Sequence, residues 1–284
     1  MENQEKKMSI NWFPGHMTKA LRMMQKEVEN IDVIIYLLDA RAPKSSLNPK
    51  FLSLIENKPV LFVLNKVDLT DKEKVTEFKQ QFDCKNSLIV ELDSTKSGAV
   101  KIVEPKLIQL AKNKVEKYLK KGIKYIPKAM VIGVPNCGKS TLINNLSGQT
   151  KAITGNKPGV TRGKQVITLK SGIQLIDTPG TLWPSFDNQV TALNLALIGS
   201  IKDDVVNLVE LACEFIDFLK LRYPKALLER YNLDNLDGEN YEILEKISIK
   251  RGLLQKGGVP DLEKASNTLL VDFRKGLLGK IYLD

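Results

Sequence analysis

The residues best suited to chemistry lie in one octet, Gly133-Val134-Pro135-Asn136-Cys137-Gly138-Lys139-Ser140. A G-x-x-x-x-G-K-S loop turns successive backbone N–H groups inward, where they cradle phosphate oxygens at a helix N-terminus. In that arrangement Lys139 reaches the β- and γ-phosphates and Ser140 holds Mg2+. Pro135, Asn136, Cys137, Gly138 and Thr141 complete the nucleotide-facing turn. The flanks agree: Ala129-Met130-Val131-Ile132 reads as a buried strand, and Thr141-Leu142-Ile143-Asn144-Asn145-Leu146 reads as the opening of a helix. The competing reading, a glycine-containing turn that matches by chance, has to explain strand, loop and helix all in order.

Other short elements point the same way. Asn65-Lys66-Val67-Asp68 has the N-K-x-D form. The Asp68 carboxylate is expected to accept two hydrogen bonds from guanine, from N1–H and the exocyclic amine, while Lys66 lays its aliphatic stem along the base. Adenine lacks that donor pair, so a wrong base leaves the carboxylate unpaired, which is a strong form of selectivity. Ser94 and Thr95 are expected to support the base through the Thr95 backbone N–H. Asp177-Thr178-Pro179-Gly180 supplies D-x-x-G, with Asp177 holding Mg2+ through water and the Gly180 N–H sensing the γ-phosphate. Thr161, in Pro158-Gly159-Val160-Thr161, offers a hydroxyl to Mg2+ when the γ-phosphate is present. Each element is weak alone. Five compatible ones, mostly at strand ends or in loops, are not an accident.

These residues must be held by a parallel sheet. Val33-Ile34-Ile35-Tyr36-Leu37-Leu38 and Val60-Leu61-Phe62-Val63-Leu64 are continuous apolar runs of the kind covered on both faces. Ser87-Leu88-Ile89-Val90-Glu91-Leu92 is a third strand, and a lysine-rich helix is expected at about 102–121. Val166 to Leu169 and Ile173 to Ile176 flank Ser171-Gly172 as a hairpin. The order is unusual, because N-K-x-D and Ser94-Thr95 precede the phosphate loop and D-x-x-G comes last. The chain is therefore circularly permuted, which is permitted where a site is assembled in space at the carboxyl ends of parallel strands. Beyond residue 185 the apolar residues recur at helical spacing, as in Leu208, Leu211, Phe215 and Leu219. The expected fold is α/β: a circularly permuted P-loop GTPase domain over residues 1–184, a mostly parallel sheet with helices on both faces, followed by a smaller all-α domain over 185–284. The D-x-x-G switch would run straight into that helical part.

Composition narrows the setting. No apolar run approaches the roughly 20 residues that span a bilayer, and the acidic, polar N-terminus lacks the features of a signal or transit peptide. Cys84, Cys137 and Cys213 are scattered, with neither disulfide nor zinc spacing. A reducing cytoplasm, no membrane and a monomer are expected. The formal charge is +10, unevenly spread: residues 1–184 hold 30 Lys/Arg against 17 Asp/Glu, and residues 185–284 hold 13 against 16. A basic front two-thirds suits a polyanionic partner beyond the nucleotide, or else a solvated lysine surface.

With these motifs in hand, the sequence resembles the ribosome biogenesis GTPase A family. The shared residues are Phe13-Pro14-Gly15-His16-Met17, Leu38-Asp39-Ala40-Arg41, Asn65-Lys66-Val67-Asp68 and the phosphate loop. They continue with Lys157-Pro158-Gly159-Val160-Thr161, Asp177-Thr178-Pro179-Gly180 and Leu182-Trp183-Pro184. The resemblance implies a cytoplasmic GTPase that acts late in assembly of the large (50S) ribosomal subunit. It also implies a helical C-terminal domain that contacts ribosomal RNA. GTP, GDP and Mg2+ are the implied ligands. Alternatives from other classes are a nucleotide-gated RNA-binding module with little hydrolysis and a tRNA-modification-type GTPase.

Two residues keep two readings. Many GTPases place glutamine directly after D-x-x-G to orient the attacking water, and here Thr181 stands there. His16, the single histidine, is then the candidate for orienting or deprotonating that water. Its alternative is a structural turn packed by Trp12 and Phe13, and the family motif favours the catalytic role. Asn136 is a candidate K+ ligand, or a loop residue bonded to its own backbone. Lys112, Lys114, Lys117, Lys120, Lys121, Lys124 and Lys128, and in the C-terminal part Lys246, Lys250, Arg251, Lys256, Arg274, Lys275 and Lys280, are either RNA contacts or solvated faces.

Overall fold

The structure is a computed structural model that describes residues 15–82, 86–148, 165–183, 186 and 188–284, apart from the side chains of His16 and Gln165. Helix α1 (Gly15–Val28) leads into β1 (Val33–Asp39), α2 (Pro49–Ile55), β2 (Val60–Asn65), α3 (Lys72–Gln81) and β3 (Ser87–Leu92). Then come α4 (Ala99–Leu119), β4 (Lys128–Gly133), α5 (Lys139–Ser147), β5 (Gln165–Thr168) and β6 (Gln174–Asp177). The remaining helices are α6 (Gln189–Leu197), α7 (Leu208–Arg222), α8 (Pro224–Tyr231), α9 (Asn240–Lys250) and α10 (Leu262–Arg274).

The strands form one six-stranded sheet in the order β3-β2-β1-β4-β6-β5. All neighbours are parallel except the β5–β6 hairpin. Because β1, β2 and β4 are central and covered on both sides, both alternating sets of their side chains are buried, which is why these segments read as unbroken apolar runs. On one face Val33, Ile35, Leu37, Leu61, Val63 and Val131 meet α4 through Val103 and Leu107 and α5 through Leu142 and Ile143. On the other, Ile34, Tyr36, Leu38, Phe62, Leu64 and Met130 meet α1 through Met24, α2 through Phe51 and α3 through Val75 and Phe78.

Helix starts follow capping chemistry. Asn48 caps α2 with Pro49 at its first turn, Asp71 caps α3, and Asn188, Asn207 and Asp261 cap α6, α7 and α10. Glu239 and Glu242 make a reciprocal capping box on α9. In the C-terminal part α7, α9 and α10 pack on one another around Leu211, Phe215, Ile247, Leu269 and Phe273, with the Phe215 and Phe273 rings 4.8 Å apart. That apolar cluster is continuous with the α4–α5 side of the sheet. No helix of the described residues is long and apolar enough to cross a membrane.

Candidate guanine nucleotide site

The parallel register brings the motifs to one edge. Asp39 of β1 pairs with Asn65 of β2, which pairs with Leu92 of β3, while β4 ends at Gly133 and β6 at Asp177. All these strands run the same way, so the loops after their carboxyl ends converge, as ligand sites in open α/β sheets do.

Asn65 is the pin between the two halves of the permuted chain. It is buried, its Nδ2 donates to the Cys137 carbonyl at 2.7 Å, and its Oδ1 accepts from the Ser94 N–H at 2.9 Å. One amide therefore fixes the N-K-x-D loop, the Ser94 loop and the phosphate loop together. Lys66 has a left-handed backbone (φ 63°), and its Nζ donates to the Asn136 carbonyl at 2.7 Å and to Asp39 Oδ2 at 2.8 Å. Asp68 lies in the short 3₁₀ turn Val67–Leu69 with its side chain exposed, open to an incoming base. Thr95 donates both its N–H and its hydroxyl to Asp93 Oδ1, at 3.0 and 2.5 Å. The N–H expected to support guanine is thus held by a neighbouring carboxylate in this structure.

The phosphate loop is closed on itself. Helix α5 starts at Lys139, two residues before the expected opening, and Lys139 Nζ donates to the carbonyls of Gly133 and Val134 at 3.1 and 2.8 Å. Cys137 is wholly buried and burial pushes its thiol pKa up, so it packs as an apolar residue. Asn136 reaches beyond its own loop. Its Nδ2 donates to the Gly199 carbonyl at 2.6 Å, across to the segment after α6, while Ser200 Oγ donates to the Pro135 carbonyl at 2.8 Å.

D-x-x-G sits directly against this loop. Thr178 Oγ1 donates to the Val131 carbonyl at 2.6 Å, anchoring the segment to β4. A Cβ on Gly180 would lie 2.8 Å from both Lys139 Nζ and Pro135 Cα, so only glycine allows this approach. Asp177 is 1% exposed, and neither of its carboxylate oxygens has a hydrogen-bond partner among the described residues. Burial raises its pKa, countered in part by the Lys139 ammonium. An orphaned buried carboxylate beside a phosphate loop fits a cation that supplies the missing partner. Thr181 is fully buried and its hydroxyl also lacks a hydrogen-bond partner among the described residues.

Helix α1 begins at Gly15 and so includes His16 in its first turn. Its neighbour Met17 is wholly buried, with Sδ accepting from the Leu182 N–H at 3.5 Å. The backbone of His16 is therefore held two residues past D-x-x-G. The His16 side chain and all of Thr161 lie outside the described residues.

Sequence reasoning gave no role to the buried pair beside the site. Asp39 and Arg41 are both wholly buried, with Arg41 Nη2 and Nε donating to Asp39 at 2.7 and 2.9 Å. Burial pushes the Asp39 carboxyl up, but the Arg41 guanidinium and the Lys66 ammonium outweigh it and hold the pKa well below the usual carboxylate range. Two charges closing an apolar strand were the available signal. Among the C-terminal cations, Arg274 is taken up internally, by Asp203 at 2.7 Å and by the carbonyls of Leu197 and Ala196. Arg251 stacks over Tyr231 at 5.0 Å and donates to the Arg230 carbonyl. In the basic run, Lys114 pairs with buried Asp32.

A family model described as 50S ribosome-binding GTPase matches residues 128–248, a span that starts with β4 and leaves N-K-x-D upstream. The chain is 40% identical over 275 residues to ribosome biogenesis GTPase A of Bacillus cereus, covering 96% of this chain and 93% of that protein. It is 33% identical over 293 residues to mitochondrial ribosome-associated GTPase 1 of Mus musculus, covering 96% and 89%. Among solved structures, GNP-bound YlqF from T. maritima shares the fold with a TM-score of 0.64 at 23% identity, covering 94% of this chain and 97% of that one. Identity of this level along nearly the whole length of both chains establishes that the chain belongs to the ribosome biogenesis GTPase A family.

Proposed function

We propose that this GTPase is an assembly switch in late maturation of the large ribosomal subunit, binding precursor particles and their ribosomal RNA in the GTP state and leaving after hydrolysis. The observation that carries the proposal is the contact between the phosphate loop and the helical segment, Asn136 to Gly199 and Ser200 to Pro135. A change at the nucleotide is thereby transmitted to the part of the chain that differs from a minimal GTPase. Residues 1–184 act as the nucleotide domain and 185–284 as the ribosome-contacting domain. The setting is cytoplasmic and the working unit a monomer.

Base choice falls to Asp68 and Lys66, braced by Asn65, Ser94 and Thr95. The Thr95 N–H exchanges Asp93 for the base. Pro135 to Thr141 wrap the phosphates, and Lys139 leaves the Gly133 and Val134 carbonyls to pair with phosphate oxygens. The Gly180 N–H reports the γ-phosphate. GTPases of this kind generally use Mg2+, and Ser140, Asp177 and Thr161 are the residues that would hold it here. When bound, the ion neutralises charge on the β- and γ-phosphates. The Asn136 amide oxygen would be a ligand for K+, and His16 orients the attacking water.

A second reading, a nucleotide-gated binding module with little hydrolysis, draws on Thr181, which is buried and too short to replace a glutamine. Phosphate release from GTP with and without large ribosomal subunits separates the two. The switch requires low intrinsic turnover and strong stimulation by subunits. Absence of stimulation with retained GTP-dependent subunit binding favours the module.

A further inference from the structure

We infer that Asp39 and Arg41 are positioning residues of the guanine site, and that through them the turn at residues 273–276, where α10 ends, forms part of that site. The inference rests on the assignment of Asn65-Lys66-Val67-Asp68 to the base.

Asp39 closes β1 level with Asn65. Its Oδ1 accepts from the Arg41 N–H at 3.1 Å and from Nε at 2.9 Å, and its Oδ2 accepts from Arg41 Nη2 at 2.7 Å and Lys66 Nζ at 2.8 Å. The same ammonium reaches the Asn136 carbonyl at 2.7 Å. The left-handed backbone of Lys66 gives its side chain no strand-imposed direction, so these two acceptors set where its stem lies. An ion pair serving stability alone has no need of a second cation, least of all the lysine that lies along the base. Burying Asp39 and Arg41 with a half-buried Lys66 is costly unless every partner is in place, so the arrangement is discrete.

The far side of Arg41 is bound to the C-terminus. Its guanidinium stands 5.0 Å over the Phe273 ring and its Nη1 donates to the Arg274 carbonyl at 3.5 Å, while its own carbonyl accepts from the Leu283 N–H at 2.7 Å. A second limb reaches the same turn independently. Leu69 ends the 3₁₀ turn that carries Asp68, and a Cβ on Gly276 would lie 2.7 Å from Leu69 Cδ2. Thr70, next in the chain, donates its hydroxyl to the Ile281 carbonyl at 3.0 Å. Both the lysine and the aspartate of the base motif therefore lean on the end of α10. By linkage, a partner that shifts α10 changes guanine nucleotide affinity, and the nucleotide changes the partner's affinity by the same factor.

A double-mutant cycle in the full chain tests this, with GDP affinity read for wild type, Lys66→Ala, Phe273→Leu and the double variant, and folding checked by thermal melting. Phe273→Leu removes the aromatic face under Arg41 without touching a nucleotide motif. It is expected to weaken GDP by about threefold or more in the wild-type background and to have little further effect once Lys66 is alanine. Arg41→Lys keeps the charge but loses the fork that grips both Asp39 oxygens, and is expected to weaken GDP likewise. The same fold-loss from Phe273→Leu in both backgrounds, with GDP weakened in Lys66→Ala, overturns the inference alone. Unchanged GDP affinity in Lys66→Ala overturns the base-site assignment and the inference with it.

Discussion

Two carboxylates, Asp68 and Asp177, stand in opposite environments. Asp68 is exposed on its short turn and is assigned to the edge of the base. Asp68→Asn turns an acceptor into a donor, so guanine should be lost and xanthine, which carries an oxygen at that edge, gained. Competition between GTP and XTP measures the exchange, and unchanged GTP binding would take Asp68 out of the base site. Asp177 is the reverse case, buried and without a hydrogen-bond partner among the described residues. Its carboxyl pKa is raised in the fold, so its contribution to stability is full below the ordinary carboxylate value of about 4 and is lost as pH rises through the raised one. Asp177→Asn keeps the shape and drops the charge. The nucleotide-free variant should melt higher than wild type at neutral pH, by a few degrees on the usual scale, with the advantage fading toward pH 4. Mg2+-dependent GTP binding should fall in the same variant. A lower melting temperature at pH 7 would mean that the carboxylate has an interaction that burial alone does not describe.

At the scale of elements, much was legible because the signals are local. Continuous apolar runs gave β1 and β2, the Ser171-Gly172 pair gave the β5–β6 hairpin, and strand, glycine loop and helix in succession gave the phosphate loop. What was not legible depends on contacts distant in sequence. Nothing near Asn136 announces Gly199, and nothing near Arg41 announces Phe273. Arg274 looks like a surface cation in a local window, yet Asp203 and two carbonyls after α6 absorb it. The phosphate-loop element carries its own prediction. If the Asn136 amide oxygen helps hold K+, turnover should be faster in KCl than in NaCl at equal ionic strength, and Asn136→Ala should abolish most of that difference. Because the substitution also strips the Gly199 carbonyl of a 2.6 Å partner, some loss of stability, about 1 kcal/mol, is expected alongside. Equal wild-type rates in the two salts would remove K+ from the mechanism.

Over the whole molecule, the permutation decides what hydrolysis can move. D-x-x-G ends at Gly180, Leu182 and Trp183 are buried directly after it, and α6 follows. At the other end of the chain, α1 is fastened to this same stretch through Met17 and Leu182. The first helical turn, with His16 in it, is therefore coupled to the switch segment rather than to the base side. Thr181 has a short side chain that is wholly buried, which leaves the attacking water to another group. If a bound subunit completes the arrangement around α1, the chemical step is accelerated only on the particle, and turnover is low in solution because the water is unpositioned. His16→Ala should then lower subunit-stimulated turnover by about 10²-fold or more, the scale of a positioned acid–base group. GTP affinity and subunit binding should stay close to wild type, since a contact made in the transition state does not report in ground-state binding. Single-turnover phosphate release on saturating subunits isolates the chemical step from product release. Full stimulated turnover in a variant that still binds the subunit would make His16 a structural residue of α1 and send the search for the water-positioning group to the ribosome itself.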